Sequence, residues 1–400
     1  MDARFVEEAY VFRKDEIIGK LSRTKIGAVF SFTNYGPDAP ALSYTMPAAK
    51  EKYEIQGYNL HPFFAGLLPE GLRLHAIRQA IKTSEDDLFS LLLASGSDTI
   101  GDISLSYERT ATPPRPSTVY SLQEISFEEL FSTSILKNGP QDDFAVAGVQ
   151  PKVSAAMISM PVRLKRKHRH YILKLTPKEF PHLIENEAFF MLMAADCGIK
   201  VASSALVTDK HLVKGLLVER FDRRYDKATD TIIKLHQEDA CQILDRYPAD
   251  KYRLSFREII DGLSRWVSTP IVEVAKLLRL KAFSYLIGNG DLHAKNISVY
   301  DDPLTGHTSL TPAYDIVSTY LYGDTKMALM LEGRDDNLKR RDFISCGERF
   351  EVRATVVQRL IDEVLMKAQA WIPRFGEIGF NEKEVHSLQQ LVLKRAKDLE

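Results

Sequence analysis

Cysteine is scarce in this chain. Cys197, Cys241 and Cys346 are the only three among 400 residues, far apart, odd in number and without a CxxC pair. That argues against a disulfide framework or a thiolate zinc site, and for buried free thiols in a reducing cytoplasm. Long apolar runs are missing too. The longest, such as Leu91-Leu92-Leu93, fall far short of the roughly 20 residues a bilayer requires, so no membrane role is expected. The start, Met1-Asp2-Ala3-Arg4, has no apolar stretch of a secretory leader. A soluble, cytoplasmic protein is the expectation. Charge of one sign is absent as a theme: 53 Lys and Arg face 54 Asp and Glu, a net charge of −1. This excludes a nucleic-acid coat or an acidic tail as the main business and leaves room only for a local basic patch. No internal repeat or low-complexity tract occurs.

What is present is ordinary globular composition, 44% hydrophobic and 27% charged over 400 residues, enough for two or three packed units. Residues 9–12 and 28–32 are strand-like. Helices are predicted at 72–81 and 84–93, the latter with Ser84 as its N-cap. The stretch Thr112-Pro113-Pro114-Arg115-Pro116-Ser117 cannot continue a helix or a central strand, so a boundary falls near residue 115. Beyond it come a helix at 127–136, strands at 153–160 and 171–175 around a turn at 161–170, a helix at 183–197 stopped by Gly198, and strands at 205–208 and 215–219. From about 235 the pattern is helical, with helices at 271–287, 352–372 and 380–399, the last opened by the capping-box pair Asn381 and Glu384. Strands around one helix followed by a helical remainder make an α+β pattern. The expected division is 1–115, 116–222 and 223–400.

The informative stretch is Gly288-Asn289-Gly290-Asp291-Leu292-His293-Ala294-Lys295-Asn296, set between an apolar helix and a short strand at 297–300. About twenty residues later comes Tyr314-Asp315-Ile316. An Asp, an Asn five residues on and a second Asp beyond is the arrangement of kinase catalytic loops. Phosphoryl transfer spreads negative charge over oxygens, and Asn and Asp supply the hard ligands Mg²⁺ takes. The first Asp accepts or orients the proton of the attacking hydroxyl. Lys174 is the matching strand lysine, with Glu187 or Glu185 on the next helix as its partner. Phe144–Ser154 stands where a phosphate loop belongs, although its one glycine makes it a poor generic example. Residues 215–224 leave the last strand where a bilobal kinase has its hinge, making Glu219, Arg220 and Phe221 adenine-site candidates. Arg163, Lys165, Arg166, Lys167 and Arg169 form a basic run, either a solvated hairpin tip or a docking patch for an acidic surface. Without interleaved aromatics, base stacking is disfavoured.

Together these pieces resemble the HipA family of bacterial serine/threonine kinase toxins. VAGVQPK at 146–152, ILKLTP at 172–177, ENEAFF at 185–190, VERFDRR at 218–224, HQEDACQ at 236–242, GNGDLHAKN at 288–296 and LTPAYDI at 310–316 run in family order, and LLPEG at 67–71 and GSDTIGDISL at 96–105 resemble the N-terminal part. The resemblance implies a bilobal protein-kinase-like fold, with a small β-rich lobe, a helical lobe and an N-terminal α/β subdomain. It implies ATP and Mg²⁺ as cofactors. Asp291 would be the base, with His293 and Lys295 lining the catalytic loop and Lys295 near the transferred phosphoryl. Asn296 and Asp315 would hold Mg²⁺. Lys174 would contact the phosphates, along with Ala147, Gly148, Val149, Gln150 and Lys152. Gln237, Glu238 and Asp239 would lie near the site. It implies growth arrest by phosphorylation of a translation component, typically an aminoacyl-tRNA synthetase. A HipB-like helix-turn-helix antitoxin would be the partner, with operator DNA reached through it. One departure stands out: the family commonly carries an autophosphorylated serine where this chain has Ala145. Either regulation passes through another residue, with Ser154 a candidate, or the alanine is an introduced replacement. Competing readings are a small-molecule kinase of the aminoglycoside or choline type and a pseudokinase corepressor.

Overall fold

A computed structural model describes residues 3–25, 27–57, 60–111, 117–119, 121–135, 157–164, 169–177 and 179–400. The first unit contains β1 (Glu8–Arg13), β2 (Glu16–Thr24), β3 (Gly27–Phe32), β4 (Lys52–Gln56), α1 (Pro62–Gly66), α2 (Gly71–Ile81), α3 (Leu88–Ser95) and β5 (Ile103–Ser106). Its sheet is antiparallel throughout, in the order β4-β3-β2-β1-β5. A register shift between Val11 and Phe12 breaks the strict alternation of β1, so that two consecutive apolar side chains are both buried. Phe30, Phe63, Phe64, Leu91 and Leu92 fill the core beneath the sheet. The helix predicted from Ser84 begins later. Asp87 accepts the Ser90 N–H and caps α3, whereas the Ser84 hydroxyl accepts the Asp86 N–H in the preceding turn.

The second group comprises β6 (Ser117–Val119), α4 (Phe127–Ile135), β7 (Ile158–Leu164), β8 (Arg169–Leu175), α5 (Leu183–Asp196), β9 (Ser204–Thr208) and β10 (Lys214–Glu219), with sheet order β6-β7-β8-β10-β9. Pro161, expected in the turn, lies inside β7 opposite Ile172. Among the described residues β6 pairs only with Val162–Leu164, which leaves Pro161 at an edge of the described sheet, where a strand proline is tolerated. The phosphate-loop candidates Ala147, Gly148, Val149, Gln150 and Lys152, together with Ala145, Ser154 and the basic tip 165–168, lie outside the described residues.

The remainder contains β11 (Arg223–Asp226), β12 (Thr231–Lys234), β13 (Gln237–Asp239), α6 (Ala240–Ile243), α7 (Phe256–Ser264), α8 (Pro270–Ile287), β14 (Ser298–Asp302), β15 (His307–Leu310), α9 (Arg340–Arg349), α10 (Ala354–Ala368) and α11 (Glu382–Leu399). From Leu280 to Ile287 every residue of α8 is buried, because α7, α9, α10 and α11 all pack against it. Asn381 and Glu384 form the expected capping box of α11. All three cysteines are buried and free. No described helix is long and apolar enough to cross a membrane.

Buried charge joins the first unit to the rest. Asp98 lies 3.0 Å from both Arg220 and Arg223, and Asp222 lies 2.7 and 2.8 Å from the same two guanidiniums. The Thr99 carbonyl accepts from both arginines at 2.8 and 2.7 Å. Burial works against both carboxylates, but the two arginines outweigh it and hold their pKa values below the ordinary range. Nearby, His236 sits between Asp102 (3.0 Å) and Glu238 (2.9 Å), and Tyr44 donates its N–H to Glu238 and its hydroxyl to Asp301. Removing Asp98 leaves two buried guanidiniums on one carboxylate. Breaking a buried pair in this way costs about 3–5 kcal/mol. Asp98→Ala is therefore expected to destabilise the chain by that order in urea unfolding; an unchanged midpoint would mean the quartet is not a structural joint.

Candidate active site

The catalytic-loop segment is positioned by the end of α8. Gly288 takes φ 74°, and the N–H of Asn289 closes back on the Ser284 carbonyl at 2.9 Å. This left-handed stop turns the chain out of the helix at the one residue type that adopts it without strain. A Cβ on Gly288 would also come within 2.7 Å of Leu391. Asn289 then accepts the Asp291 N–H at 3.0 Å, and Thr319 accepts the Gly290 N–H at 2.7 Å. Asp291 is buried, and its Oδ1 accepts a hydrogen bond from the Tyr252 hydroxyl at 2.7 Å. Tyr252 also sets its ring edge-on to His293, with centroids 5.0 Å apart. Sequence reasoning missed Tyr252: it lies in an irregular stretch with no periodicity, and nothing local ties it to Asp291.

Asn296 closes the loop. Its amide oxygen accepts the His293 N–H at 3.0 Å, and its amide nitrogen donates to Asp315 at 3.3 Å. Asp315 occupies the left-handed region at φ 55°, a conformation rare outside glycine that is held here by its surroundings. The Lys174 ammonium reaches both Asp315 and Glu187, the latter at 2.7 Å. Burial opposes the lysine charge, but the two carboxylates outweigh it and raise its pKa. Burial together with neighbouring Asp315 pushes the Glu187 carboxyl up despite the lysine. Glu185 pairs instead with Lys214 at 2.9 Å, which decides between the two acids left open by the sequence. Between them, Asn186 clamps the backbone of Ser318 through both ends of its amide, at 2.9 and 3.0 Å. Thus α5 is fastened to the segment that carries Asp315.

Lys295, Arg220 and Glu219 are each held by an ion pair. Lys295 stands in the catalytic-loop segment, one residue before Asn296. Its ammonium lies 2.9 Å from Glu70 and 3.8 Å from Asp239 and donates to the Gly66 carbonyl at 3.3 Å, as a buried ammonium requires partners. The Arg220 guanidinium enters the buried quartet, and its backbone N–H is taken by the His170 carbonyl at 2.9 Å. Glu219 pairs with Arg169 at 2.9 Å, and its N–H is taken by Ser203 at 2.8 Å. Of the hinge trio, Phe221 alone turns toward the loop, its ring 5.8 Å from that of Tyr314. Asp239 caps α6 by accepting the Gln242 N–H, and burial raises its carboxyl. Gln237 is buried on β13, and its side-chain oxygen has no partner among the described residues. Asp315 and Asn296, adjacent and bearing hard oxygens, are a donor set of the kind Mg²⁺ takes.

Comparison with known proteins bears on this geometry. Residues 144–372 match the HipA-like C-terminal domain and residues 9–106 the HipA N-terminal domain. A Sinorhizobium fredii relative provisionally named kinase Y4mE is 31% identical over 80% of this chain and 79% of its own. The serine/threonine-protein kinase toxin HipA of Shewanella oneidensis is 29% identical over 68% of this chain and 66% of its own. The solved structure of Shewanella oneidensis HipA in complex with HipB and operator DNA superposes with a TM-score of 0.72 at 22% identity, covering 98% of this chain and 97% of that one. The match spans the unit that carries Asp98 as well as the unit that carries Asp291, and the chain belongs to the HipA family.

Proposed function

We propose that this protein is an ATP- and Mg²⁺-dependent serine/threonine protein kinase acting as a toxin. Its substrate would be a component of translation, an aminoacyl-tRNA synthetase, and its effect growth arrest. The observation that carries the reading is the convergence of Lys174, Glu187, Asp315 and Asn296 from four separate places in the chain, with Asp291 on the same loop as Asn296. In a phosphoryl-transfer centre, Lys174 steadies the nucleotide phosphates while Glu187 holds that lysine in register. Asn296 and Asp315 would hold Mg²⁺, which when bound offsets the charge on the transferring phosphoryl group. Asp291, fixed by Tyr252, orients the acceptor hydroxyl and takes its proton. The relative solved with HipB and operator DNA supports a HipB-like helix-turn-helix antitoxin as partner here, with DNA reached through that partner.

Purified protein incubated with Mg²⁺ and γ-labelled ATP, alone and with a tRNA-containing extract, tests this by mass spectrometry. A phosphorylated synthetase serine is expected. Asp291→Asn should lower transfer by about 10²–10⁴-fold with nucleotide binding retained. Full transfer by that variant would overturn the site assignment. Label on a small molecule, or ATP binding without transfer, would overturn the protein-kinase reading.

His293 supplies a second test. Burial lowers its pKa to about 4, Lys251 adding to the effect against the opposing Asp291. The folded chain therefore binds the proton less readily than the unfolded one. Its contribution is complete above the unfolded value near 6.5 and is lost as pH falls toward 4, an effect of about 3 kcal/mol. His293→Gln should flatten the loss of stability between those pH values in urea unfolding; identical pH profiles would show that His293 is not kept neutral.

A further inference from the structure

The N-terminal unit touches the catalytic loop through one carboxylate that the sequence reading gave no role. Glu70 stands immediately before α2. Its Oε1 lies 2.9 Å from Lys295 Nζ, and its Oε2 lies 2.5 Å from Lys251 Nζ. Both lysine side chains are only 12% exposed. Each belongs to a piece of backbone that shapes the site. Lys295 is the residue before Asn296, and its carbonyl accepts the Tyr314 hydroxyl at 2.7 Å. The Lys251 carbonyl accepts the Ala294 N–H at 3.1 Å, so residues 251–252 lie as a strap along the loop. The next residue on that strap is Tyr252, which holds Asp291.

Two ammonium groups converging on one place repel unless an anion stands between them. Asp239, 3.8 Å from Lys295, is the other carboxylate paired with that lysine. The Glu70 side chain keeps 36% of its surface exposed, and Lys295 and then Lys251 outweigh the cost of its partial burial and keep the carboxyl far below its ordinary range, so it stays an anion.

We propose that Glu70 is a positioning residue for phosphoryl transfer: the N-terminal unit supplies the anion that clamps Lys251 to Lys295 and so holds Tyr252 and Asp291 in place. The inference rests on the kinase reading for its rate effect but not for its structural effect. It makes the N-terminal unit part of the catalytic apparatus, because the clamp that steadies Asp291 is built from residue 70.

The test uses the full chain with Glu70→Gln, which keeps the shape and removes the charge. Turnover is expected to fall by about 10–100-fold, since a small misplacement of a catalytic group has that effect. KM for ATP should stay within about twofold, because the Lys174–Glu187–Asp315 side is untouched. Amide exchange across residues 288–297 and 250–253 should quicken by about tenfold or more, beyond what any fall in global stability accounts for. Glu70→Asp should recover part of the loss. Lys251→Met should reproduce it, and the double variant should be no worse than either single one. Parental turnover with parental exchange would overturn the proposal, as would faster turnover, or a loss that tracks a general fall in stability. A parent chain that transfers no phosphoryl group would sink the kinase reading instead, and the exchange measurement would still decide Glu70.

Discussion

Everything in the cleft depends on how a single buried ammonium is satisfied. Lys174 sits in the middle of the second sheet, with Leu216 of β10 on one side and Ser159 of β7 on the other. A charge taken out of water there costs several kcal/mol unless opposite charges meet it with good geometry. Glu187 and Asp315 meet it from two different directions. To deliver Glu187, α5 must lie against the sheet, where it packs on β9 and β10. To deliver Asp315, the chain after β15 must adopt a left-handed backbone that few side chains favour. Asn186 secures that second requirement by gripping Ser318, three residues past Asp315. The lysine thus fixes the β-rich and helical parts relative to each other.

The same rule, applied to other buried charges, explains which features were legible in the sequence. The stretch from Gly288 to Asn296 declared itself because its chemistry and its spacing fall within nine consecutive residues. The apolar-rich stretch of α8 and the cap of α11 were equally local. Partners far apart in the chain were not legible. Arg220 resembled part of a hinge, yet its guanidinium is matched to Asp98, 122 residues away. Glu185 and Glu187 lie two apart on one helix, and only the burial of one against Lys174 separates their roles. At α3, Ser84 and Asp87 are both good caps, and Asp87 prevailed because Arg23 also pairs with it at 2.9 Å. Nothing near Lys295 in the sequence announces its pairing with Glu70, 225 residues before it.

Several motif residues of the N-terminal and central segments therefore belong to joints between units. Asp98 and Asp102 of one segment meet Arg220, Asp222 and Arg223 of a second and His236 and Glu238 of a third. Gly101 lies between the two acids at φ 86°, and a Cβ there would stand 3.2 Å from the Gln237 carbonyl. Close backbone approach and paired charge are required at the same place, which is why a glycine and two aspartates stand within five residues of one another. The joint ends at β13, the strand that carries Gln237 and leads into the Asp239 cap. From there the polar contacts pass to Lys295 and the catalytic loop.

Two histidines along this path show how one side chain type is driven to opposite states. His236 is flanked by two carboxylates. Burial opposes its charge, yet hydrogen bonds to Asp102 and Glu238 prevail and raise its pKa to about 10. Its contribution to stability is therefore full below about 6.5, the unfolded value, and fades as pH climbs through 10. His293 is buried and has no carboxylate within ion-pair distance of its ring among the described residues, so burial dominates and its contribution is lost on the acid side. Near neutrality the joint keeps its cation and the catalytic loop keeps a neutral imidazole. Protonating His293 would place a positive charge beside Lys251 and Lys295, where Glu70 already balances two. The distribution of carboxylates, not the histidines themselves, keeps the joint charged and the loop free of a third cation.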